Sequence, residues 1–313
     1  MSRPPSADTS ALETRGLRKT YGRTVALHDL SLTVEPGEVF GFLGPNGAGK
    51  TTTVKILLGL VHPTAGQAHL FGRPAGDPDA RRRVGYLPEN FRFHDWLTGY
   101  QLLEFHARLA GMSAARRRER VQEVLALVGL AGRGNDRIRS YSKGMTQRIG
   151  LAQALVHEPD LVLLDEPTSA LDPVGRREVR DLIRGLRTRG MTVFLNSHLL
   201  SEVELVCDRV AIVDRGRVIR HGRLQDLVES GTPEVRVTVD RVDHALLDVL
   251  ARHGQVLEVQ LEKGVVRLGV CDLEDAAAVA AAVVGGGYRL YGLVPTHPSL
   301  EDVFLSMVEM SRG

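Results

Sequence analysis

Residues 44–51 read GPNGAGKT and fit the pattern G-x-x-x-x-G-K-[ST], directly behind the apolar run EVFGFL and ahead of the helical TTTVKILLGL. The chemistry open to such a stretch is phosphate binding. The turn Gly44, Pro45, Asn46, Gly47, Ala48 and Gly49 can wrap a β-phosphate in backbone N–H groups. Lys50 can neutralise β- and γ-oxygens, Thr51 can offer its hydroxyl to Mg²⁺, and Thr52 completes the nucleotide-contacting run. Residues 161–167, LVLLDEP, form an apolar run that ends in two carboxylates, as a buried strand does when it delivers acids at its C-terminal tip. Asp165 would hold Mg²⁺ directly or through water, and Glu166 would polarise a water in line with the γ-phosphate. His198, in NSHLL, stands beyond a third apolar strand, where it would hydrogen-bond the γ-phosphate.

A second stretch, YSKGMTQR at 141–148, raises a charge question. Lysine is scarce, five among 40 basic residues, yet Lys143 opens a helix for which Ser142 is the N-cap. Met145, Ile149, Ala152 and Leu155 recur behind it at helical spacing. A cation in a helix's first turn is mildly unfavourable unless an anion comes close.

The elements that position these residues follow from pattern. At 313 residues and 43% hydrophobic, two domains are expected. From 11 to about 225 short apolar runs alternate with helical patterns, pointing to an α/β domain with a largely parallel sheet whose strands include EVFGFLG, LVLLDE, MTVFLNS and RVAIVD. A helical insertion is expected over about 77–160. Within it the charge run ARRRERV at 115–121 reads as a solvated helix face. From 231 to 313 the order βαββαβ plus a final helix, capped by Ser299, predicts a small ferredoxin-like α+β domain. Residues 1–10 read as disordered.

Composition excludes other classes. With 40 basic against 38 acidic residues, no whole-protein field advertises a nucleic-acid partner. Cys207 and Cys271 form no metal-ligand spacing and suit a reducing compartment. The start, MSRPPSADTSALE, is not expected to be a signal peptide. The longest apolar stretch, AAAVAAAVV, is about half of the roughly 20 residues a membrane span needs.

With these motifs in order, residues 11 to about 225 resemble the P-loop NTPase cassette of an ATP-binding cassette (ABC) transporter's nucleotide-binding subunit. The resemblance implies ATP and Mg²⁺ as cofactors and makes Tyr21, in KTYG before the first strands, the aromatic that stacks on adenine. It places Glu89, in GYLPEN, where the family usually has a glutamine that senses Mg²⁺ and contacts the membrane subunit. YSKGM occupies the LSGGQ signature position, with lysine and methionine at 143 and 145 in place of glycine and glutamine, and SALD at 169–172 matches the D-loop. In this family two cassettes meet head to tail, so the anion facing Ser142, Lys143 and Gly144 would be the partner's γ-phosphate. The ending PSLEDVFLSM, with YLPEN and NSHLLSEVE, is similar to exporters whose ATPase and membrane subunits are separate chains. That implies export of a drug, polysaccharide or lipid through a transmembrane permease, a homodimeric cassette pair, and a position in the cytoplasm on the inner face of the cell membrane. NFRFHDWLTG at 90–99 is a docking segment for the permease or, if Trp96 and its neighbours are core, a packing element. The competing functions are a soluble ABC ATPase acting on ribosomes or DNA, and a P-loop kinase.

Overall fold

The computed structural model describes residues 9–169, 171–229, 231–272 and 274–310. Most of the N-terminal segment read as disordered, and Ala170 within SALD, lie outside the described residues. The chain divides into two compact units, 1–223 and 224–313.

The first unit is built on a ten-stranded sheet. Five parallel strands lie side by side in the order Val84–Leu87, Leu161–Asp165, Thr192–Asn196, Val39–Leu43, Arg209–Asp214. VFGFL, LVLLD and TVFLN are buried at every position, as a parallel sheet covered on both faces demands. Phe194 packs between Phe40 and Phe42, its ring centroid 5.9 and 5.3 Å from theirs. The four strands expected here are all present.

The sheet is less parallel than the sequence pattern implies. Leu12–Tyr21 and Thr24–Val34 form a bulged antiparallel hairpin, extended by Ala65–Leu70 and Arg73–Pro74. Strand Arg217–Arg223 joins this arm to the parallel half, antiparallel to Arg209–Asp214 and in register with Thr24–Val34 only at Arg217 and Asp29. Tyr21 therefore ends the first strand instead of preceding the strands. LETRGLRKTY carries charge on both faces of a half-exposed strand, which erases the alternation that would have revealed it.

The helical part comprises Gly99–Leu109, Ala114–Leu127 and Lys143–Leu155, capped by Thr98, Ser113 and Ser142. It is narrower than 77–160, because Val84–Leu87 belongs to the main sheet. Arg120 does not lie on a solvated face: its guanidinium donates to Leu155 O and Val156 O, satisfying the carbonyl end of the helix that Ser142 begins. Arg116 pairs with Glu119, Glu123 and Glu158.

In the second unit, strands Gln255–Gln260, Val265–Gly269, Glu234–Val239 and Leu290–Thr296 lie antiparallel in that order. This is the ferredoxin-like arrangement expected for βαββαβ. Val235, Val237 and Val239 alternate inward, onto the apolar sides of helices His244–Leu250 and Asp275–Gly285. Arg267 bonds Glu234, Glu258 and Asp302, tying the sheet to the final helix Leu300–Met310. Ser299 caps that helix, its hydroxyl accepting from Asp302 N at 3.2 Å. Helix Leu224–Glu229 packs on it, so the unit begins seven residues before the expected 231. No described helix is long and apolar enough to cross a membrane.

Candidate functional site

The parallel strands end in register. Phe42 pairs with Asn196, Asn196 with Asp165, and Leu164 with Leu87, so the segments beginning at Gly44, Ser197, Glu166 and Pro88 emerge side by side. Ligands bind at these carboxyl ends in open α/β sheets.

The phosphate loop fills the central tip, with helix Lys50–Leu57 behind it. A Cβ on Gly44 would lie 2.2 Å from Val213 O, so no other residue fits beneath the turn. Gly47 and Gly49 adopt φ of 83° and 99°. Lys50 is nearly buried and folds back over the loop, its ammonium donating to Gly44 O at 2.7 Å and Pro45 O at 3.3 Å. Burial pushes its pKa down, opposed by Glu166, Asp165 and Glu89. One ammonium thus interacts with three carboxylates from two neighbouring strand tips, Asp165 and Glu166 after Leu161–Asp165 and Glu89 after Val84–Leu87.

Burial pushes the Asp165 carboxyl up, opposed by the hydrogen bond from Asn196, while Glu166 and Glu89 reinforce the rise. Glu166 adopts φ 51°, unusual for a residue with a side chain. Its N–H donates to Asn196 O at 2.8 Å, and Ser169 Oγ donates to its carbonyl at 3.1 Å, so the backbone is held from both sides. His198 Nδ1 approaches Glu166 Oε2 to 2.8 Å without hydrogen-bond alignment, and Oε2 has no hydrogen-bond partner among the described residues. The imidazole is half exposed, open to a ligand.

These groups suit Mg²⁺. Thr51 is exposed, Asn196 engages one oxygen of Asp165, and Glu89 adds an exposed carboxylate. No cluster of three or more His, Cys, Asp or Glu ligands occurs among the described residues.

Tyr21 stands at the hairpin tip, 46% exposed, with the Lys19 ammonium 4.9 Å from its ring centroid. One aromatic face is thereby engaged by a cation. Ser142 caps the helix as expected, its hydroxyl accepting from Met145 N at 3.2 Å, and Lys143 is exposed.

Two residues of the site were not singled out from sequence. Asn196 bonds Asp165 while its Oδ1 is buried without a partner among the described residues. Its signal was an amide ending an apolar strand. Tyr86, whose phenol is pushed up to about 12 by burial and then by Asp165 and Glu89, offered only a strand aromatic. In NFRFHDWLTG, Phe91 packs where a Cβ on Gly150 would be 2.9 Å from its ring. Trp96 stays 62% exposed, stacked on His94, and is not core.

Comparison with known proteins gives one direction. The family model described as ABC transporter matches residues 27–169. An uncharacterised ABC transporter ATP-binding protein of Synechocystis is 40% identical over 99% of this chain and 87% of its own length. The Nod factor export ATP-binding protein I of Cupriavidus pinatubonensis is 37% identical over 97% and 92%, and the bacitracin transport ATP-binding protein BcrA of Bacillus licheniformis 32% over 96% and 98%. Among solved structures, the dimeric post-hydrolysis state of the cassette MJ0796 bound to ADP and Pi superposes with a TM-score of 0.62 at 28% identity, covering 68% of this chain and 98% of that one.

Proposed function

The chain belongs to the ATP-binding proteins of ABC transporters, a family that hydrolyses ATP, and from that premise we propose that it works as one of a pair of cassettes driving export through a separate membrane subunit. What supports the site assignment is the charge interaction of Lys50 with Asp165, Glu166 and Glu89 at the same end of the parallel sheet.

The turn from Gly44 to Gly49 presents N–H groups to the phosphates, and Lys50 exchanges its carbonyl partners for phosphate oxygens. Thr51, Asp165 and Glu89 would hold Mg²⁺, which would supply neutralisation of the phosphate charge. Glu166, with one oxygen unengaged by hydrogen bonds, takes a proton from the attacking water, and His198 hydrogen-bonds the γ-phosphate. Tyr21 stacks on adenine with its free face. In a head-to-tail pair, Ser142, Lys143 and Gly144 of each copy face the γ-phosphate held by the other, and losing that phosphate removes the contacts that keep the pair closed.

Relatives named for Nod factor export and bacitracin transport support an exporter of drug, polysaccharide or lipid type. Exposed Trp96 would receive the membrane subunit, which holds the chain on the cytoplasmic face of the membrane. Glu166→Gln tests the chemistry: turnover should fall by about 10²–10⁴ with ATP affinity retained and an ATP-bound dimer accumulating. Unchanged turnover would remove Glu166 from its role. The same tagged variant, purified with ATP and Mg²⁺ from detergent-solubilised cells of the source organism, should bring down a multi-spanning membrane protein stoichiometrically. Ribosomes or nucleic acid in its place would overturn the exporter reading.

A further inference from the structure

The turn Arg215–Gly216, between strands Arg209–Asp214 and Arg217–Arg223, touches two parts of the molecule at once. On one side lies the phosphate loop. Gly216 N donates to Ala48 O at 3.0 Å, and Val213 O, just before the turn, is the atom that leaves no room for a side chain at Gly44. On the other side lies strand Thr24–Val34. His28 N donates to Gly216 O at 3.0 Å, and a Cβ on Gly216 would lie 2.6 Å from Ala26 O and 2.8 Å from Leu27 Cα. Gly49 closes the triangle: its own Cβ would meet Leu27 Cδ2 at 2.6 Å, Ala26 O at 2.7 Å and Gly216 Cα at 3.6 Å. Gly216 adopts φ +74°, so both its conformation and its surroundings require glycine.

The strand gripped at residues 26–28 is the hairpin partner of the strand that ends at Tyr21, with Tyr21 opposite Thr24 and Thr20 opposite Val25. Two backbone hydrogen bonds through one residue therefore link the arm that carries Tyr21 to the loop that cradles the phosphates. Backbone contacts have no rotamers to absorb a displacement, and a shift of about 1 Å in a bound substrate's supports is costly. We propose that Gly216 is a positioning residue, the joint that fixes the spacing between the base-stacking ring and the phosphate cradle, so that one nucleotide engages both at once. This rests on the nucleotide site proposed above.

The experiment measures steady-state ATP hydrolysis and its inhibition by inorganic triphosphate, which has no base, for the purified full chain, wild type against Gly216→Ala, Gly190→Ala and Tyr21→Ala. Gly190 has φ +78° and no described atom within 4 Å of the place a methyl would take, so alanine there imposes the same backbone strain without a collision. Gly216→Ala should raise KM for ATP about tenfold with kcat and the Ki for triphosphate within about twofold. Gly190→Ala should leave KM and Ki unchanged. If Tyr21→Ala raises KM for ATP while folded Gly216→Ala does not, or if Gly216→Ala raises KM and Ki alike, the joint is overturned. If Tyr21→Ala itself leaves KM for ATP unchanged, the base-stacking reading has failed and takes the joint with it. Should Gly216→Ala not fold, hydrogen exchange on the wild type decides: ATP should protect the amides of Gly216 and His28 along with residues 44–51. Protection confined to 44–51 overturns the proposal.

Discussion

Lys143 is exposed in the first turn of its helix, where its charge opposes the helix dipole by about 0.3–1 kcal/mol. Lys143→Ala should therefore leave the isolated chain as stable or slightly more so, while weakening ATP-driven pairing about fivefold by sedimentation, the size of one exposed charge contact. Equal pairing in the two proteins would remove Lys143 from the shared site. Ser142→Ala is a less selective probe, since losing the cap costs about 1 kcal/mol of helix stability whatever the partner does.

Between elements, His157 connects the end of the Lys143–Leu155 helix to the sheet edge, its Nε2 placed 3.1 Å from Val84 O. Burial lowers its pKa, the bond to Val84 opposes this, and Arg120 adds to the fall. His106 is lowered too, by burial and then by His157. With the native pKa depressed, the unfolded chain takes up a proton that the native one refuses. Stability is thus full above the ordinary histidine value and is lost as pH falls from there towards the native pKa. His157→Gln keeps an amide donor for Val84 O, so its loss of Tm between about pH 7 and about pH 5 should be smaller than the wild type's. An identical loss would assign the acid sensitivity elsewhere. This contact also marks where sequence reading stops. The strand tips were legible because apolar runs ending in Asp165, Glu166 and His198 carry both burial and chemistry in one local pattern. The C-terminal unit was legible because Val235, Val237 and Val239 alternate cleanly. Tyr21's strand was not, since its charges fall on both faces, and Arg120 was misassigned because a run of arginines gives no sign of which one meets the carbonyls of a helix 35 residues on. Gly216 lay in DRGR, which looks like any surface turn until the distant strand Thr24–Val34 is set beside it.

For the whole molecule, the exposed Trp96 makes a prediction that separates transport from hydrolysis. Trp96→Ala should leave ATP turnover of the isolated chain unchanged while reducing recovery of the membrane subunit about tenfold, as expected for an aromatic anchor worth about 1–2 kcal/mol. Undiminished recovery would move the docking surface elsewhere. The left-handed backbone at Glu166 reaches further, into what this protein can become. A side chain costs about 1–2 kcal/mol in that conformation, and glycine or asparagine would relieve much of it. A mutant library sorted for heat resistance alone should therefore enrich Glu166→Gly and Glu166→Asn, and every survivor carrying them should be inert towards ATP. Where thermal selection and transport pull on the same codon, durability and work are rival phenotypes.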